Sequence, residues 1–365
     1  MKIHSMKVIM LVLTAVLIIT GFAGCDAVSN NLPADDSGNG NNNGDRNINF
    51  TETIKVYNAG EYIDLTTISD FEREFAIKVE YHEFESNETM YDEISKNPNA
   101  YDVLIPSDYT VDRLIKEGKL EKLDKSKLSS VSNVSHEYMS PSYDSDNDYV
   151  IPYMVGTLGI LYNKRQITVP VDSWNILFNA QYAGKILLLD SQRDTLGAAL
   201  KMLGYSMNSN DNDELNQAKT ALIGARSVIG AYCESEEIRD RMVAGEGVLG
   251  VVYSGDAKTA IDRNPDLAYV IPKEGSNKWV DGFVITKGTQ HADAAYKFID
   301  FMCRSNIAVR NMSKIGYTSP IKGAWSEFNS NKIMFPSEEE LERCEAFTYN
   351  AEAAQKYSGI WNEVR

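Results

Sequence analysis

Carboxylates and large aromatic rings recur along this chain where short apolar runs end. Asn58-Ala59-Gly60-Glu61-Tyr62 follows one run, Pro106-Ser107-Asp108-Tyr109 a second and Asp190-Ser191-Gln192-Arg193-Asp194 a third. Tyr253-Ser254-Gly255-Asp256, Lys278-Trp279-Val280-Asp281-Gly282 and Ile315-Gly316-Tyr317-Thr318 continue the series. Acids and π faces together suit a cation, because carboxylates meet its charge and ring faces attract it through their quadrupole. Plainer roles stand beside this one. Asp281 before Gly282 can shape a turn, and Asp194 at a helix start can satisfy backbone amides. Ser107 can cap the helix after it, Glu61 can be a solvated loop charge, and a single Tyr or Trp is ordinarily packing. The recurrence at separate strand ends favours a binding role.

Catalytic patterns are sparse. The chain has no GxSxG elbow, no GxxxxGK[ST] phosphate loop and no HExxH pair. Ser319-Pro320-Ile321-Lys322 fits SxxK by letters, but that motif needs a helical turn and Pro320 interrupts it. Asp194 and Asp281 form a formal acid pair for glycoside hydrolysis, so an extracellular glycoside hydrolase stands as an alternative to a binding protein. His82, His136 and His291 are scattered, and Cys233, Cys303 and Cys344 show no CxxC spacing. No metal site and no cofactor are expected.

The elements that must position these residues alternate. Strands are predicted at 54–57, 77–81, 101–105, 158–162, 186–189, 248–253 and 269–271. Ile68, Phe71 and Phe75 lie at helical spacing, as do Val111, Leu114 and Ile115 before Gly118. Further helices are expected at 194–203 and 236–244, with mostly helical structure from Ala292 onward. Such alternation predicts α/β sheets covered by helices on both faces, with ligands at the carboxyl ends of the strands. About 315 residues follow residue 50, enough for two such units.

Composition narrows the partners. With 43% apolar residues the body is globular, and the formal net charge of -16 argues against nucleic acid. Lys2 and Lys7 precede an apolar run from Val8 to Ile19, the pattern of a secretory signal peptide over 1–24. Ala23-Gly24-Cys25 resembles a bacterial lipobox, which implies a lipid on Cys25 and a tether over 25–50 too rich in Asn, Gly and Asp to bury apolar surface. The expected location is outside the cytoplasmic membrane, lipid-anchored at the cell surface or in the periplasm.

At the strand ends the chain is similar to the extracytoplasmic spermidine/putrescine-binding proteins that feed polyamine ABC transporters. The likeness runs from about Ile54 to the C-terminus. It includes Tyr57-Asn58, Glu85-Ser86-Asn87-Glu88-Thr89-Met90-Tyr91, Tyr101-Asp102-Val103-Leu104-Ile105-Pro106-Ser107 and Pro272-Lys273-Glu274-Gly275. The resemblance implies an α/β, two-lobed periplasmic-binding-protein type II fold that closes over its ligand in an interlobe cleft without chemical conversion. It places one lobe at 51–156 plus 280–325 and the other at 157–279 plus 326–365. It also implies a monomer that serves a membrane permease and its ATPase subunits.

Carried over position by position, the resemblance makes Tyr62, Ser107 and Tyr109 first-lobe contacts, and Trp279 with Asp281 the ring and carboxylate for an amine head. Tyr317 is a further contact, Asp194 stands for a Glu and Tyr253 for a Trp. Ala59 replaces a cleft Trp, Ser191 a second carboxylate and Phe347 a Gln. Glu61 and Asp190 are candidates for the missing charge. The count of acids leads to an expectation that putrescine binds within about tenfold of spermidine. A different ligand, an iron complex or small anion, is the alternative within binding proteins. The lipobox yields a test of its own. Cys25→Ser should release the protein from the membrane fraction with ligand binding intact, whereas retention would indicate an uncleaved apolar anchor.

Overall fold

Backbone alternation sorts each strand's side chains between two opposed layers, and this is what covers both faces of the first sheet. The computed structural model describes residues 48–365 except Asn329, so Cys25 and the apolar run before it lie outside the described residues. The strands are β1 (Glu52–Ala59), β2 (Ile77–Phe84), β3 (Val103–Leu104), β4 (Ile151–Asn163), β5 (Ile186–Leu189), β6 (Ile229–Cys233), β7 (Leu249–Tyr253), β8 (Leu267–Val270) and β9 (Lys278–Ile285). Ile54, Val56, Val103, Phe283 and Ile285 join one core with Phe71, Phe298 and Ile299. The intervening Tyr57, Leu104 and Val284 join another with Met90, Val111 and Leu114. A third core gathers around β5, whose residues are all buried, as a parallel strand between helices requires.

The strand order is β2-β1-β3-β9-β4-β7-β5-β6, with β8 also paired to β4. β4 therefore serves both lobes: residues from Ile151 to Thr157 pair with β9, and residues from Leu158 to Asn163 pair with β7 and β8. The two-lobed α/β expectation holds. Several elements differ in extent. β4 begins at Ile151 instead of residue 158 because a register shift between Pro152 and Met154 absorbs the proline. β9 and β6 were not foreseen as strands, and β3 is shorter than 101–105. Phe328, Met334 and Phe335 pack with the first lobe, held by the Thr318 hydroxyl donating to the Met334 carbonyl. Phe347, Tyr357 and Ile360 pack with the second.

Cys233, Cys303 and Cys344 are separate buried thiols. Among the described residues no helix is long and apolar enough to cross a membrane.

β4 meets the Trp279 indole of β9 at a glycine. Gly156 lies opposite Trp279 in the β4–β9 pair, and a Cβ at residue 156 would overlap the indole. Gly156→Ala should displace Trp279 and weaken ligand binding by roughly tenfold while the cores stay folded. Titration calorimetry with an unchanged affinity would show that the indole position is unimportant.

Candidate ligand-binding cleft

The carboxyl ends of β1, β2, β3, β5, β6 and β7 and the amino-terminal half of β9 converge on a cavity of about 1230 Å³ between the lobes. Every residue expected at the site lines it: Glu61, Tyr62, Ser107, Tyr109, Ser191, Asp194, Tyr253, Trp279, Asp281, Tyr317 and Phe347. Period-2 alternation along the strand puts Asn277, Trp279 and Asp281 in one row on the cleft wall. Asn87 fixes the first-lobe loop, its Nδ2 donating to Ser107 Oγ at 3.1 Å and its Oδ1 accepting the Ser107 N–H at 2.9 Å.

Buried acid dominates the wall. Asp281 Oδ2 accepts the Tyr62 hydroxyl at 2.8 Å, while its Oδ1 is buried without a partner. Burial pushes the Asp281 carboxyl up to about 6, against the opposing pull of Ser107, Tyr62 and Trp279. Asp194 Oδ2 accepts from Ser191 Oγ at 2.7 Å and from the Tyr253 hydroxyl at 2.9 Å. Its Oδ1 is likewise buried and unpartnered, and burial raises this carboxyl too. Ser191 is the N-cap of the helix Gln192–Met202, accepting the Asp194 N–H, so the cap is Ser191 and Asp194 is free for other work.

Asp108 belongs to the strand-end series but was not among the expected ligand contacts. It starts the helix Asp108–Lys116, lines the cavity at 3% exposure and accepts the Tyr109 N–H at 2.7 Å. Its carboxyl is raised to about 8, first by burial and then by the charge of Asp281.

The rings form a connected wall. Tyr253 and Trp279 meet at 4.9 Å and 70°, and Tyr317 sits 5.2 Å from Tyr62 and 6.1 Å from Trp279. The Tyr317 hydroxyl donates to Asp256 at 3.1 Å. Tyr109 donates to Glu88 at 3.2 Å and meets Phe347 edge-on at 6.1 Å.

Basic residues also reach the cleft, contrary to the impression of the strand ends. Arg193 lies 4.8 Å from the Tyr109 ring and 4.4 Å from the Phe347 ring, so the chain's own cation occupies that aromatic pair. Arg239 bridges Glu61 at 3.0 Å and Asp256 at 3.2 Å, joining the lobes. Arg365 pairs with Asp190. Glu61 and Asp190, candidates for the missing charge, are therefore neutralised within the chain. These partners are distant in sequence, Glu61 and Arg239 by 178 positions, and no local pattern announces them.

The model of the family described as bacterial extracellular solute-binding protein matches residues 66–336. The chain belongs to this family. It is 34% identical over 299 residues to the spermidine/putrescine-binding periplasmic protein of Escherichia coli, covering 80% of this chain and 86% of that one. Its identity to the Salmonella typhimurium protein of the same description is 32%, over 86% of this chain and 92% of that one. Among solved structures, the spermidine/putrescine ABC transporter substrate-binding protein of Streptococcus pneumoniae is similar with a TM-score of 0.74 at 34% identity, covering 86% of this chain and 98% of that one. A lipoprotein of Treponema pallidum gives 0.78 at 26% identity, covering 86% and 99%.

Raised carboxyls make folding depend on pH with a definite sign. Their neutral forms contribute stability that is complete below the unfolded value near 4 and is lost as pH rises through about 6 for Asp281 and about 8 for Asp108. The ligand-free protein should melt several degrees lower at pH 9 than at pH 6 in differential scanning calorimetry. A flat or rising profile across that window would mean these acids are not buried as described.

Proposed function

We propose that this chain is the substrate-binding component of a polyamine ABC importer, holding spermidine or putrescine in the interlobe cleft and handing it to a membrane permease and its ATPase subunits. One observation carries the reading: buried Asp194 and Asp281 each keep an unpartnered oxygen on a ring-lined cavity. The ion pairs of the wall go elsewhere, to Glu61, Asp190 and Asp256. Buried charge without a partner is costly, and a bound dication with N–H donors removes that cost. Relatives described as spermidine/putrescine-binding support the same ligand class. Among them the role is carriage, and we read this chain as a carrier, not a catalyst.

In this reading Asp281 and Trp279 hold one ammonium head, Asp194 and Tyr253 the other, and Tyr62 and Tyr317 wall the methylene chain. Micromolar affinity needs about 8 kcal/mol. Ring contacts of roughly 0.5–2 kcal/mol and charge-assisted hydrogen bonds of roughly 1.5–3 kcal/mol reach that figure after association costs. The resemblance of the N-terminal segment to a lipobox supports anchoring through Cys25, with the body acting as a monomer outside the membrane.

Isothermal titration of the native chain with putrescine, spermidine and spermine should give micromolar or tighter binding to at least one of them. Affinity should fall on acidification through pH 6, as Asp281 takes up its proton. Absence of both heat and thermal stabilisation with all three amines would refute the assignment.

A further inference from the structure

We infer that Asp108 and Asp281 form a two-carboxylate seat for one primary ammonium group, which gives the Asp281 end of the cleft a second acid. This rests on the polyamine reading and deepens it. The backbone brings the two acids together. β3 pairs with β9 as Val103 with Ile285 and Leu104 with Val284, and the Gly282 N–H continues the ladder to the Pro106 carbonyl at 3.2 Å. Continued past the strand, the same register sets Ser107 opposite Asp281 and Asp108 one position further on, opposite Val280.

Asp108 at 3% and Asp281 at 7% exposure both line the cleft. Asp281 Oδ1 is buried there without a partner, which a purely structural pair would not leave open. A plain helix-start role for Asp108 does not require burial, because an acid serving the helix dipole keeps its effect at the solvated surface. Placing two acids together out of water is unfavourable until a cation lies between them.

The chemistry of the seat selects its guest. A primary ammonium offers three N–H donors to two carboxylates, whereas an acetylated nitrogen lacks the charge and a quaternary one lacks the donors. The Arg193 guanidinium, beside the Tyr109 and Phe347 rings, acts on both Asp194 and Asp108.

The test compares native protein with Asp108→Asn by calorimetric titration of putrescine at pH 8, together with the melting temperature of each protein without ligand. The seat predicts that the variant binds roughly tenfold or more weakly. Its ligand-free melting temperature should stay equal or rise, since repulsion with Asp281 is gone. Putrescine affinity within about twofold of native overturns the proposal. So does a weakened variant whose ligand-free melting temperature falls, which would assign Asp108 to the fold. If the native chain binds no polyamine, it is the proposed function that fails.

Discussion

Three carboxylates withdrawn from water without a salt-bridge partner set the terms for the rest of the molecule. Asp108, Asp194 and Asp281 are all nearly fully buried, and burial raises each of them above its ordinary range. A fold tolerates such a cluster only if hydrogen-bond donors hold part of each group and something else completes it. The Tyr62, Ser191 and Tyr253 hydroxyls and the Tyr109 N–H are those donors here. Arginines pair with Glu61, Asp190 and Asp256 of the wall and form no salt bridge with these three. The division of labour makes the cleft selective by charge before shape enters.

The scaffold concentrates this tension where the lobes meet. β4 belongs to both sheets, and β9 runs beside its first half carrying Trp279 and Asp281. The absence of a side chain at Gly156 lets the indole lie flush on β4. Contacts between the lobes come from the cleft residues themselves: Arg239 with Glu61, Tyr317 with Asp256, and Tyr109 with Phe347. Closure and recognition therefore draw on the same side chains, an arrangement in which ligand contacts and lobe contacts are energetically coupled.

Much of this was legible in the residues. β5 is a run of Ile and Leu and reads as buried strand at once, and the rings and acids after each strand pointed to the cleft. β9 was hidden because Lys278, Asp281 and Gly282 spoil its apolar pattern, and those are the residues the site needs. The start of β4 was masked by Pro152, whose cost a register shift absorbs. Asp108 was in that series but not among the expected contacts, since an acid in a first helical turn already has an ordinary explanation. The arginine pairs were invisible for a different reason: they are tertiary contacts between residues that share no local period.

The most direct measurement is a crystal structure of the protein grown with putrescine near neutral pH. The account predicts one ligand nitrogen within hydrogen-bonding distance of Asp281 Oδ1, the other near Asp194 Oδ1, and the methylene chain along Trp279. A ligand seated outside the cleft, or a cleft holding putrescine with both oxygens still unpartnered, would contradict it.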